Sequence, residues 1–331
     1  MKKIVGIFLM VLAAVSLFAC GKEESKGNLP EKVRIGTQTL ADPEAIAKAE
    51  GWLEKDLGVP VDIVKFDGGR DVNLAMASGE IDFGILGSVP ASLAIANGVD
   101  CKVIYIQSVL GEIESLVMKE DLNISKAEDL KGKTIATVFS STSHYSLLKY
   151  LETNQIDRKD VDVIDMKASE IVAAFQRGDI DGAFIWDPQV SEMLNLGGKI
   201  FVSAADVADL GYATMDVEIV NKGFAEKYPE IVQNYVNCME KAVKLYKEDE
   251  TKAGESVSKD LGLTPKECLR QMKTSSWLTV EEQGGVDWFG DSKLSENLYE
   301  TAQFLYKQGD VLTEPEKGKF TNAVDGKFLE N

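Results

Sequence analysis

Four consecutive hydroxyl residues, Ser140-Ser141-Thr142-Ser143, run into a helical pattern whose next residues are His144 and Tyr145. Hydroxyls at a helix start usually cap it. The same place can cradle an anion, because free backbone N–H groups, hydroxyl donors and the positive helix end all favour negative oxygens. Gly87-Ser88, just before a helix opened by Pro90, makes a second such start. Two acids offer the complementary chemistry. Asp216 stands in a largely apolar stretch, 212–220, and Asp187 directly follows Trp186. A partly buried carboxylate wants a cation, and an aromatic face packs a short alkyl chain or an ammonium. Gln38-Thr39 close a further strand pattern. His144, the single histidine, has no second histidine, GxSxG segment or Cys-His pairing beside it. It reads as a helix-start donor rather than a base, so neither catalytic residues nor a metal site nor a cofactor is expected.

The 331-residue chain carries 36 Lys and Arg against 54 Asp and Glu, a formal net charge of −18. Hydrophobic residues make up 44% and charged residues 27%, a globular composition, and the length suits two domains. The acidity argues against nucleic acid as a partner, because binding phosphates needs clustered Lys and Arg. Lys131-Gly132-Lys133-Thr134 mimics the end of a phosphate-binding loop, but position 127 is Ala where that motif needs Gly, and the segment precedes a strand.

The first residues form a leader. Met1-Lys2-Lys3 is basic, 4–19 is apolar, and the run ends Leu17-Phe18-Ala19-Cys20-Gly21. A run of sixteen residues is short for a spanning helix and right for a signal h-region. The ending resembles the bacterial lipobox, which places lipid on Cys20 and removes 1–19. Residues 20–30 then form a flexible tether. Cys101, Cys238 and Cys268 are far apart and read as small buried hydrophobes, with one disulfide left open.

These residues need strands and helices to hold them. Strands are expected at 33–38, 61–66 and 81–86, with helices at 43–50, 71–78 and 90–97 between and after them. The order repeats about 100 residues on, with strands at 134–139, 161–166 and 181–186 and helices at 143–153 and 170–177. Val161-Asp162-Val163 echoes Val61-Asp62-Ile63, and Gly178-Asp179-Ile180-Asp181 echoes Gly79-Glu80-Ile81-Asp82. Two similar α/β lobes follow. Crossing strands at 115–119 and 215–220 make a two-strand hinge, and helices at 229–246, 264–272 and 292–308 pack mainly on the first lobe. Lobe 1 is expected to comprise 31–117 and 217–331, and lobe 2 118–216. Ligands in such sheets sit at the carboxyl ends of the strands, in the cleft between lobes.

Several segments resemble the taurine-binding proteins of bacterial ABC importers. They are Gln38-Thr39, Asp67-Gly68-Gly69, Ala77-Ser78-Gly79-Glu80-Ile81-Asp82, Leu86-Gly87-Ser88, the run from Ser141 to Leu148, the run from Gln176 to Ala183, and Phe224–Pro229. The likeness covers roughly residues 33–235, within a wider group of alkanesulfonate, nitrate and thiamine-precursor binders. It implies a type II periplasmic-binding-protein fold, no chemistry on the ligand, and delivery to a membrane permease with a cytoplasmic ATPase. It also implies that donors around Ser88, Ser141 and Thr142 hold a sulfonate while Asp216 holds an ammonium. Gln38, Gly87, Ser143, His144, Tyr145, Trp186 and Asp187 complete the expected site. Asp187 departs from the small apolar residue usual there. A second acid near the ammonium strengthens cation binding or admits a larger, more basic ligand. Another small sulfonate, zwitterion or amine is the alternative ligand class, and an enzyme on the same fold the more distant one.

Overall fold

The computed structural model describes residues 29–329; the leader, Cys20 and all but the end of the tether lie outside the described residues. The first lobe opens with β1 (Val33–Thr37), α1 (Pro43–Ala49), α2 (Trp52–Leu57), β2 (Val61–Lys65), α3 (Gly69–Ser78), β3 (Phe83–Gly87), α4 (Ser88–Ala96) and β4 (Cys101–Leu110). Asp42 starts α1 by accepting the Ala45 amide at 2.7 Å, and Pro43 presets the first turn. The expected single helix ends before Gly51, whose φ of 68° breaks it, and α2 follows.

The second lobe repeats the plan: β5 (Glu114–Lys119), β6 (Thr134–Thr137), α5 (Thr142–Thr153), β7 (Asp162–Asp165), α6 (Ala168–Arg177), β8 (Gly182–Trp186), α7 (Gln189–Asn195), β9 (Gly198–Ser203) and α8 (Ala204–Asp209). The chain then returns through β10 (Met215–Asn221) and ends in α9 (Lys222–Lys227), α10 (Pro229–Glu248), α11 (Glu250–Leu261), α12 (Pro265–Met272), β11 (Ser275–Ser276), α13 (Val280–Gly284), α14 (Lys293–Gln308) and α15 (Lys317–Ala323). The long α10 packs on α1 and α2, and α14 on α4, so the C-terminal helices cover the first lobe as expected.

Two sheets result, ordered β11-β4-β10-β3-β1-β2 and β7-β6-β8-β5-β9. In each, three parallel strands carry one antiparallel neighbour, β10 beside β3 and β5 beside β8. The Gly-acid-Ile-Asp echo has a structural cause in both lobes. Gly79 and Gly178 close their helices in the left-handed region, with φ of 72° and 84°. Ile81 and Ile180 are buried. Asp82 then accepts the Arg34 amide, and Asp181 the Thr134 amide, each at 2.9 Å, pinning the start of the lobe's first strand.

The crossings differ from those expected. β5 pairs within the second sheet from Glu114 onward, and β10 within the first from Met215, so the boundaries at 117/118 and 216/217 fall inside strands. The chain changes sheet at 111–113, where it leaves the ten-residue β4. Cys101, Cys238 and Cys268 are free thiols, each buried.

Candidate functional site

Both lobes turn the carboxyl ends of their parallel strands toward one cleft. Of the expected residues, Gln38, Gly87, Ser141, Thr142, Trp186 and Asp216 line it. Gln38, just past β1, donates to the Ile85 carbonyl at 3.3 Å. Asp216 enters through β10, registered between Gly87 of β3 and Ser108 of β4. Trp186 closes β8 opposite Glu114 of β5.

The start of α5 shows how capping and anion binding divide the available groups. Ser141 is the N-cap: its Oγ accepts the His144 amide at 3.2 Å and donates to the Val138 carbonyl at 2.6 Å. Its hydroxyl is therefore committed to the helix. The amides of Thr142 and Ser143, first in the helix, have no carbonyl one turn back. They and the positive helix end are what this wall offers to an anion.

Thr142 uses its hydroxyl differently: Oγ1 donates to Glu114 Oε1. Glu114 was absent from the expected site, yet it lines the cleft, is 2% exposed, and its Oε2 has no partner. Burial pushes its carboxyl up to about 8, with nearby Asp216 adding to the rise against the opposing Thr142 hydrogen bond. Burial likewise pushes Asp216 up to about 7. The only signal for Glu114 in the sequence was the apolar run Leu116-Val117-Met118 that follows it, with Glu112 close on the other side. Leu40, Gly69, Pro90, Leu110 and Ile113 complete a mostly apolar lining, and none of the described lining residues is basic.

The other expected residues sit behind the cleft or beside it. Ser88 is buried, and its Oγ accepts the Met215 amide at 3.4 Å, fastening β10 to the start of α4. Ser143 is fully buried. His144 stacks on Phe139 with ring centroids 4.4 Å apart, and its Nδ1 accepts the amide of Ser140, which stands at a φ of 65°. Burial and the Arg158 guanidinium push the imidazole down to about 4, so it is neutral at ordinary pH. Tyr145 meets Phe304 edge-on at 5.3 Å in an apolar cluster joining α4, α5 and α14.

Asp187 corrects the expectation of a second acid on the ligand. Its carboxylate accepts from the Ser191 amide at 3.1 Å and from the Ser191 hydroxyl, and Arg270 of α12 lies against both its oxygens. With those partners it is 1% exposed and absent from the lining. The second acid in the cleft is Glu114.

The free space in the cleft is about 30 Å³, room for little more than a couple of water molecules, so a ligand of several heavy atoms enters only with the lobes further apart than here. An open hollow of about 630 Å³ beside Lys119, Glu120 and Phe175 is larger but holds none of these groups. Chemistry rather than size selects the cleft.

The family described as NMT1/THI5 like matches residues 41–253. The chain belongs to the NMT1/THI5-like family. It is 37% identical to the taurine-binding periplasmic protein of Escherichia coli over 285 residues, 84% of this chain and 87% of that one. It is 30% identical to a putative aliphatic sulfonates-binding protein of Bacillus subtilis over 271 residues, 79% of this chain and 80% of the other. Among solved structures, the alkanesulfonate-binding protein of Xanthomonas axonopodis pv. citri bound to MOPS superposes with a TM-score of 0.74. That match covers 90% of this chain and 99% of the other at 22% identity, a likeness of fold. The family member in hand thus has the fold of the periplasmic binding proteins, two α/β lobes facing one cleft.

Proposed function

We propose that this chain is the extracytoplasmic substrate-binding component of an ABC importer, and that its ligand is taurine or a closely related aminosulfonate. The observation that carries the ligand class is the charge layout of the cleft. Asp216 and Glu114 supply carboxyl groups, no described lining residue is basic, and α5 starts at the wall with Ser141 as its N-cap, which leaves its first amides to an anion. A ligand with an ammonium at one end, a sulfonate at the other and two methylenes against Trp186 satisfies all three. A plain alkanesulfonate leaves both carboxyls without a cation. The relatives' names support the same class. A carrier rather than an enzyme fits the position of His144, whose Nδ1 is occupied by the Ser140 amide outside the lining.

Delivery to a permease with a cytoplasmic ATPase follows from that role. No described helix is long and apolar enough to cross a membrane. Attachment is assigned to lipid on Cys20 after removal of 1–19. Labelling of the wild type but not Cys20→Ala by a fatty-acid probe tests the anchor.

Calorimetric titration with taurine, ethanesulfonate and ethylamine tests the ligand. Taurine binds tightly and the two half-ligands weakly. Losing one member of a buried charge pair costs about 2–5 kcal/mol. At about 1.4 kcal/mol per decade, Asp216→Ala weakens taurine roughly thirty- to several-thousand-fold. Equal affinity for ethanesulfonate and taurine would defeat the assignment.

A further inference from the structure

The buried carboxylate of Asp187 belongs to the second lobe, while its cation, Arg270, belongs to the first. Arg270 Nη2 lies 3.3 and 3.2 Å from the two Asp187 oxygens and also donates to Ser191 Oγ, reaching from α12 to the start of α7. The pair is asymmetric: the Asp187 side chain is 1% exposed and that of Arg270 43%. Asp187 is joined to the cleft wall on two sides. It follows Trp186 in the chain, and its amide donates to the Ile113 carbonyl at 2.9 Å. Ile113, Glu114 and Trp186 all line the cleft.

We propose that Arg270, Asp187 and Ser191 form a clasp across the cleft, and that Arg270 is a positioning residue. By holding Asp187 it seats Trp186 and Glu114 against the first lobe and sets how long the ligand stays. This rests on the solute-binding reading above. When the lobes part, Asp187 exchanges Arg270 for water, so opening is resisted by a pair that salt weakens only where it is exposed. A second cross-lobe contact is weaker in kind. Arg70 of α3 lies 3.4 Å from Asp165 of β7 with both side chains nearly half exposed, and Ser169 donates to Asp67 at 3.1 Å on the surface. A pair so exposed contributes little. Of these two cross-lobe ion pairs the tighter is therefore the one beside Trp186, while the apolar cluster of α4, α5 and α14 joins the lobes separately.

The test compares Arg270→Gln, Arg270→Lys and, as a control, Arg70→Gln, all in the full chain. Without ligand, small-angle scattering shows a larger radius of gyration for Arg270→Gln than for wild type, Arg70→Gln or Arg270→Lys. With taurine, stopped-flow release is roughly five- to fifty-fold faster in Arg270→Gln, because the buried Asp187 carboxylate is left without its cation and such a loss acts mainly on the off-rate. Arg270→Lys restores much of the difference, which a purely packing role for the guanidinium would not give. Unchanged scattering and release in Arg270→Gln would overturn the clasp. If the wild type binds no taurine, the ligand assignment fails, while the ligand-free scattering still decides the clasp.

Discussion

Gly87 faces Thr142 across the cleft so closely that a Cβ on Gly87 would stand 2.6 Å from Thr142 Cγ2. Carbon atoms in contact lie about 3.5–4.0 Å apart, so a single methyl group must drive the lobes about 1 Å apart. Thr142 cannot turn away freely, because its hydroxyl is held by Glu114. The backbone at Gly87, with φ −62° and ψ 155°, suits alanine. Gly87→Ala is thus a steric wedge without backbone strain. Overpacking of this kind costs about 1–3 kcal/mol, or roughly five- to hundred-fold in taurine affinity. Calorimetry should show that loss together with a lower ligand-free melting temperature, because the contact is already present without ligand. Wild-type affinity would mean that the lobes need not meet at this point.

The two cleft carboxyls make stability and binding respond to pH in opposite directions. Both are raised in the folded protein, Asp216 to about 7 and Glu114 to about 8. The stability each contributes is complete below its ordinary value near 4 and is lost as pH rises through 7 and 8, at most about 1.4 kcal/mol per pH unit and group. Melting of the ligand-free protein should fall between pH 5 and pH 9. Taurine's ammonium favours the ionised carboxyls, so its affinity should rise from pH 5 to about pH 8, below the loss of the amine's own proton, with proton release seen as a buffer-dependent binding enthalpy. Asp216→Asn with Glu114→Gln should flatten the binding profile. A residual stability slope should persist from Asp42, Glu44 and Glu218, which burial also raises. Melting that climbs steadily from pH 5 to pH 9 would contradict this account.

His144 gives an opposite and separable signature at lower pH. Its imidazole is depressed to about 4 by burial and by Arg158. The stability it contributes is present above its ordinary value near 6.5 and is lost as pH falls through 4. Since the chain has one histidine, the imidazole C–H resonances in a proton spectrum need no assignment by mutation. They should stay at the neutral position down to about pH 5. A midpoint near 6.5 would show the ring to be solvated, with the Ser140 turn built differently.

The lobes were legible because their signals are local. Asp42 before Pro43, and Gly79 and Gly178 at helix ends, announce turns and caps whatever surrounds them. The repeat was legible because Asp82 and Asp181 perform the same backbone task. β4 was not recognised, since a strand buried on both faces shows no alternation. The sheet change at 111–113 was invisible for a related reason: a strand pattern states that a strand exists, not which sheet it joins. Asp187 was misplaced because its partner lies 83 residues away in sequence, and no spacing rule links residue 187 to residue 270. Glu114 was missed because Gly111-Glu112-Ile113-Glu114 presents two acids around one apolar residue, and only the strand's entry into the second sheet buries the latter acid.

Glu114→Gln isolates what the second carboxyl adds to selectivity. Glutamine keeps an oxygen to accept the Thr142 hydroxyl, so the α5 start retains its tie to β5. What disappears is the charge available through Oε2, which has no partner within the protein. Asp216 alone then faces the ammonium. Taurine should weaken roughly ten- to hundred-fold, in the range of one charge-assisted hydrogen bond at about 1.5–3 kcal/mol. Ethanesulfonate should hold its affinity or gain, because one fewer buried acid is left unpaired when it binds. The taurine-to-ethanesulfonate ratio of Kd values is therefore the informative readout, and it should move toward one. An unchanged ratio with both ligands weakened equally would mark Glu114 as a support for Thr142 rather than a contact for the ligand.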